Sequence, residues 1–122
     1  MTLDMKINNM IGREYDVNSF NCWDCIRELD DRVPSIDIVA QQFTAMKALK
    51  SGLASKLLYK EVFNFQDGDI IMLGNKKENL HHAGYYHKGL LIHNRPSSGV
   101  VAEQFDIIKS QFIHVRGFRY AS

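Results

Sequence analysis

Two cysteines and a histidine-rich strand are the residues from which chemistry can be built in this chain. Cys22 and Cys25 lie in the run Asn21-Cys22-Trp23-Asp24-Cys25-Ile26-Arg27-Glu28-Leu29. Cys22, Cys25, Ile26 and Leu29 fall at i, i+3, i+4 and i+7, so they share one face of a helix. Asn21 is a good N-cap and places Cys22 in the first turn. A thiol there meets the positive end of the helix dipole and unpaired backbone N–H groups, both of which favour thiolate. A nucleophile also needs a base, and a metal ligand needs more ligands. The run His81-His82-Ala83-Gly84-Tyr85-Tyr86-His87 supplies candidates for either. As a strand it points His82, Gly84 and Tyr86 one way and His81, Ala83, Tyr85 and His87 the other. A hairpin return through Leu90 to Asn94 puts His93 on the face of Leu91, where it can meet His82. A helix-start cysteine, a histidine base and a third polar group that orients it follow the logic of a cysteine hydrolase.

The elements that must hold these residues can be read in order. Ile7, Met10 and Ile11 mark a short helix ending near Gly12, and Arg13 to Phe20 reads as a loop. The cysteine helix runs from Cys22 to about Asp31, stopped by Val33-Pro34. Apolar spacing from Ile36 to Leu57 predicts a further helix, with a break near Gly52. Strand signals follow: Lys60 to Phe65, Asp69 to Leu73, His81 to His87, Leu90 to Asn94, Val100 to Ala102 and Ile113 to Tyr120. A helical turn is expected over Asp106 to Gln111. Helices first and then a strand meander predict an α+β fold, with N-terminal helices packed on a small antiparallel sheet.

The chain has 122 residues, which predicts a single domain over 1–122. Lys plus Arg number 15 and Asp plus Glu 14, a net charge of +1 that gives no electrostatic case for nucleic acid or an anionic membrane as partner. No stretch approaches the ~18 apolar residues of a membrane helix. Met1 to Met10 lacks the apolar run of a signal peptide, so synthesis and folding in a cytoplasm are expected.

The ordered motifs resemble the NlpC-type cell-wall peptidases, a branch of the papain-like cysteine peptidases. The residues are Asn21-Cys22-Trp23-Asp24-Cys25-Ile26-Arg27, Gly68-Asp69-Ile70-Ile71, His82-Ala83-Gly84-Tyr85-Tyr86 and Leu91-Ile92-His93-Asn94, followed by Ser97-Ser98-Gly99-Val100. The Cys-Trp variant looks most like the phage and tail-associated branch. The resemblance implies Cys22 as nucleophile, His82 as base and His93 as the residue orienting it. It implies Tyr15 and the Cys22 backbone N–H as oxyanion donors. The implied fold is papain-like, the implied substrate a peptide stem of peptidoglycan, cut at links such as D-glutamyl to diaminopimelate, with no cofactor or metal. The implied setting is the bacterial cell wall, reached as a phage tail component or an injected effector, with phage tail or secretion-system proteins as partners. Asn21 stands for the usual Asp, and Asp24-Cys25 for Gly-Leu. Asp24 is expected to alter substrate approach to the helix start.

Two other chemistries use the same residues. Cys22, Cys25, His82 and His93 make a possible Cys₂His₂ zinc set, although a ten-residue histidine spacing is longer than usual. A thioredoxin-like redox pair needs a strand just before Cys22, where the sequence reads as loop. A third alternative keeps the fold as a catalytically inactive interaction module. Cys25 reads as core, and His81, His87, His114 and Asp69 as structural residues. Trp23, Tyr85 and Tyr86 are assigned equally to a groove or to the core.

Overall fold

The computed structural model describes residues 1–33, 59–76 and 80–120. The helix expected over Ile36 to Leu57 lies outside those residues. Helix α1 spans Leu3–Met10 and α2 spans Cys22–Leu29. Strands β1 (Tyr59–Val62), β2 (Ile70–Gly74), β3 (His82–His87), β4 (Leu90–Arg95) and β5 (Gly99–Gln104) follow. A short helix α3 (Phe105–Lys109) precedes β6 (His114–Tyr120). The fold is thus mixed α and β, with helices against an antiparallel sheet.

The sheet order is β1-β6-β2-β3-β4-β5. Only β2 to β5 form a meander. The plain meander expected from sequence is corrected by β6, which returns to lie between β1 and β2. Both flanks of β6 carry ladder bonds: Tyr59 pairs with Tyr120, and Leu73 with Val115. Strand order of this kind leaves no local signature, because pairing across a long loop is set by packing rather than by turn residues.

Two cores sit on the two faces of the sheet. On one face, Trp23, Cys25, Ile26 and Leu29 from α2 pack with Ile7 and Met10 of α1 onto Ile70, Met72, Ala83, Tyr85 and Ile92. Full burial of side chains such as Ile26 and Ile70 stabilises by about 1.5–3 kcal/mol each. On the other face, Ile71, Leu73 and Leu91 are covered by Phe105 and Ile108 of α3, with Phe65 and Phe112 beside them. Trp23 and Tyr85 therefore belong to the core rather than to a groove. The Tyr85 hydroxyl donates to Asp30 at 3.1 Å.

Helix α2 ends earlier than Val33-Pro34 required. Asp30 is its C-cap with extended backbone, and its carboxylate turns back onto Arg32 at 2.9 and 2.6 Å. A side chain competing for local partners ended the helix before the proline did. Strand β5 runs two residues beyond the expected Ala102, a difference that matters for the site.

Candidate functional site

Asn21 builds the start of α2. Its Oδ1 accepts from the backbone N–H of Trp23 at 3.0 Å and of Asp24 at 3.1 Å. The Asp24 carboxylate accepts from the Asn21 N–H at 3.0 Å, completing a capping box. This gives Asp24 a structural task at the helix start. Asn94 then fastens this helix start to β4. Its Nδ2 donates to the Phe20 carbonyl at 2.8 Å, and Asn94 is fully buried. One side chain therefore ties the turn before Cys22 to the residue after His93.

The structure brings His82 and His93 together. His82 Nε2 and His93 Nδ1 are 2.7 Å apart, and the rings meet edge to face. Strand register explains the meeting. His93 is the partner of Gly84, so it lies diagonally from His82 on the same face. Gly84 makes the space: a Cβ there would sit 2.6 Å from Leu91 Cδ1 and 3.1 Å from His93 Cβ. Gly84→Ala is expected to destabilise the fold by about 1–3 kcal/mol through overpacking beside His93. Urea unfolding measures this, and a loss below ~0.5 kcal/mol would show that the bare position is not needed.

By parity the two histidines belong to the face of Leu73 and Leu91, whereas Cys22 belongs to the α2 core. Cys22 and His82 nevertheless share a cavity, because His82 opens β3 at the rim of the sheet. Tyr15, Cys22, His81, His82, Arg95, Pro96, Ser97 and Phe112 line this cavity of about 350 Å³. Tyr15 is thus placed beside the cysteine, and burial raises its phenol above the usual range. No hydrogen bond joins the Cys22 thiol to His82 among the described residues. His82 Nε2 is engaged by His93, so Nδ1 is the ring nitrogen left for a proton.

Electrostatics here overturn one expectation. Burial pushes the Cys22 thiol up to about 11, although the backbone N–H groups of Ala83, Trp23 and Cys22 pull the other way. Helix-start donors do favour thiolate, but Cys22 is only 5% exposed and desolvation of the anion wins. His82 is pressed down to about 3 by burial and by the proximity of His93, His81 and Arg95. His93, fully buried, is pressed down to about 4 by burial and by Arg95. The resting site is a neutral thiol beside neutral imidazoles.

Cys25 is fully buried in the α2 core, and burial pushes its thiol up to about 12. His82 and His93 spend facing nitrogens on each other. Among the described residues, no group of three or more His, Cys, Asp and Glu side chains is arranged to hold a metal ion. His87 bonds Asp4 at 2.8 Å and ties β3 to α1. Among the described residues no helix is long and apolar enough to cross a membrane.

Sequence reasoning missed four contributors. Glu103 Oε1 lies 2.8 Å from His93 Nε2. Arg95 reaches the same oxygen at 3.6 Å and donates to Gln111 at 3.0 Å. Phe112 lies nearly parallel to the His82 ring at 6.2 Å. Asn94 stood in the quoted motif without a role. A signal for Glu103 existed: one more pair of strand residues after Val101 would have put it on the face of His93.

Comparison with known proteins adds little. No protein-family model and no curated protein matches this chain. Among solved structures, the peptidase domain of Streptococcus mutans ComA in complex with a small-molecule inhibitor is similar at 17% identity and a TM-score of 0.45. The match covers 92% of this chain and 98% of that one. No conclusion about family or activity rests on a likeness of that size.

Proposed function

We propose that this chain is a cysteine hydrolase of papain-like, NlpC-type design that cleaves amide bonds in the peptide stems of bacterial cell wall. The observation that carries the reading is the single cavity holding Cys22 and His82, with His82 Nε2 held by His93. The cell-wall substrate rests on the ordered sequence motifs, as does delivery as a phage tail component or an injected effector.

The chemistry follows from the protonation states. As Cys22 sulfur attacks the carbonyl carbon, its proton passes to His82 Nδ1. The oxyanion forms beside the Tyr15 hydroxyl and the Cys22 backbone N–H. His82 then gives its proton to the leaving amine, and a thioester remains on Cys22. A water molecule loses a proton to His82 and attacks the thioester, and the thiol leaves with that proton. His93 holds the His82 ring throughout.

The test is release of new amino groups from purified peptidoglycan. Wild type is expected to release them, and Cys22→Ala to lose at least ~10³-fold in rate. Cys25→Ala, a core change, is expected to stay active in the folded fraction. The inactive-module reading draws on the buried thiol and the absence of a Cys22–His82 hydrogen bond among the described residues. It gains the field if wild type and Cys22→Ala release amines equally slowly.

A further inference from the structure

The imidazole pair contains an ambiguity that its own geometry does not resolve. His82 Nε2 and His93 Nδ1 are 2.7 Å apart, so one must donate and the other accept. If His93 donates, His82 carries its proton on Nδ1 and presents a donor to the thiol, which cannot take the sulfur's proton. If His82 donates, its Nδ1 is bare and can act as a base. The outcome is decided at the far side of His93, where Nε2 lies 2.8 Å from Glu103 Oε1. An ionised carboxylate only accepts, so it demands the proton on His93 Nε2. His93 Nδ1 is then a lone pair, and it in turn demands the proton on His82 Nε2.

We propose that Glu103 is a positioning residue that fixes the tautomers of both histidines and so leaves His82 Nδ1 bare toward Cys22. The role rests on the hydrolase reading above, since it acts through the base that reading assigns. The surroundings fit it. His93 is fully buried, so no bulk water competes for its nitrogens. The Arg95 guanidinium, 3.6 Å from the same Glu103 oxygen, sets a positive charge against the carboxylate. Both Arg95 and His82 also line the cavity, which links the edge strand β5 to the reacting centre through one continuous row.

Nitrogen-resolved NMR of the histidine rings, together with iodoacetamide alkylation of Cys22 at pH 7, tests the role in the full chain. Wild type is expected to show both rings protonated on Nε2. Glu103→Ala is expected to mix the tautomers and slow alkylation about tenfold, with alkylation of Cys25 unchanged. Glu103→Gln keeps an oxygen acceptor and is expected to hold the wild-type tautomers with a smaller loss. Where the alanine variant unfolds, Glu103→Leu, which fills the space but offers no acceptor, is read in its place with the same expected outcome. A purely structural Glu103 would change melting and leave the ring spectra and the rate ratio untouched. Unchanged tautomers and rates in a folded variant that lacks the acceptor, with His82→Ala still slowing alkylation, overturn the role of Glu103 alone. A His82→Ala rate equal to wild type overturns the hydrolase reading instead, and the ring spectra still decide Glu103.

Discussion

The ultraviolet band of a cysteine thiolate is expected to be absent from Cys22 at neutral pH and to be half developed only near pH 11. Burial pushes this thiol up to about 11 from a reference of 9.0. At pH 7 its thiolate fraction is then on the order of 10⁻⁴, against ~10⁻² for a free thiol. The difference spectrum between wild type and Cys22→Ala isolates the band from that of Cys25. A band already present between pH 5 and 8 would show a preformed thiolate–imidazolium pair and overturn this picture. The sign for stability follows from the same shift. Below pH 9 both folded and unfolded thiols are protonated, and the full stability is present. From pH 9 upward the unfolded chain releases its proton first, so stability falls until the folded thiol also titrates near 11. The loss from Cys22 is on the order of 2–3 kcal/mol.

Arg119→Met is expected to lower stability strongly, because it leaves a buried carboxylate without its charged partner. The Asp69 carboxylate is fully buried and is held by Arg119 Nε and Nη2, each at 2.9 Å. Without the guanidinium it keeps the Gln66 backbone N–H, at 2.8 Å, as its hydrogen-bond partner among the described residues. A buried anion with a single neutral donor is poorly compensated. Adding Asp69→Asn to the same chain is expected to recover part of the loss, because the uncompensated charge goes with it. Denaturant unfolding of the two variants measures both effects. An unfolding midpoint for Arg119→Met equal to that of wild type would show that the carboxylate is solvated after all.

The sequence was legible where local chemistry decides. Asn21 capped a helix at Cys22 as its side chain dictates, and the Lys88-Gly89 turn placed the β3–β4 hairpin. Parity along that hairpin was enough to put His82 and His93 on one face. The thiol's protonation was not legible, because two opposing effects act on it. The helix start can be read from Asn21, but the desolvation that outweighs it comes from the packed sheet. Glu103 was lost to a boundary: a strand stopped at Ala102 excludes it, and two more residues include it. The place of β6 was lost because Tyr59 and Tyr120 meet across about half of the chain.

The clamp made by Asn94 has a mechanical consequence. The first turn of α2 and the strand carrying His93 are separate bodies in sequence, yet they are riveted by a buried hydrogen bond of 2.8 Å. Sliding one against the other means breaking that bond without water to replace it, at a cost of about 1–3 kcal/mol. The spacing between Cys22 and the histidines is therefore a stiff coordinate. Any yielding of the cavity falls to its loop walls at Tyr15 and at Pro96 and Ser97, while Cys22 and the histidines keep their distance like the jaws of a fixed gauge.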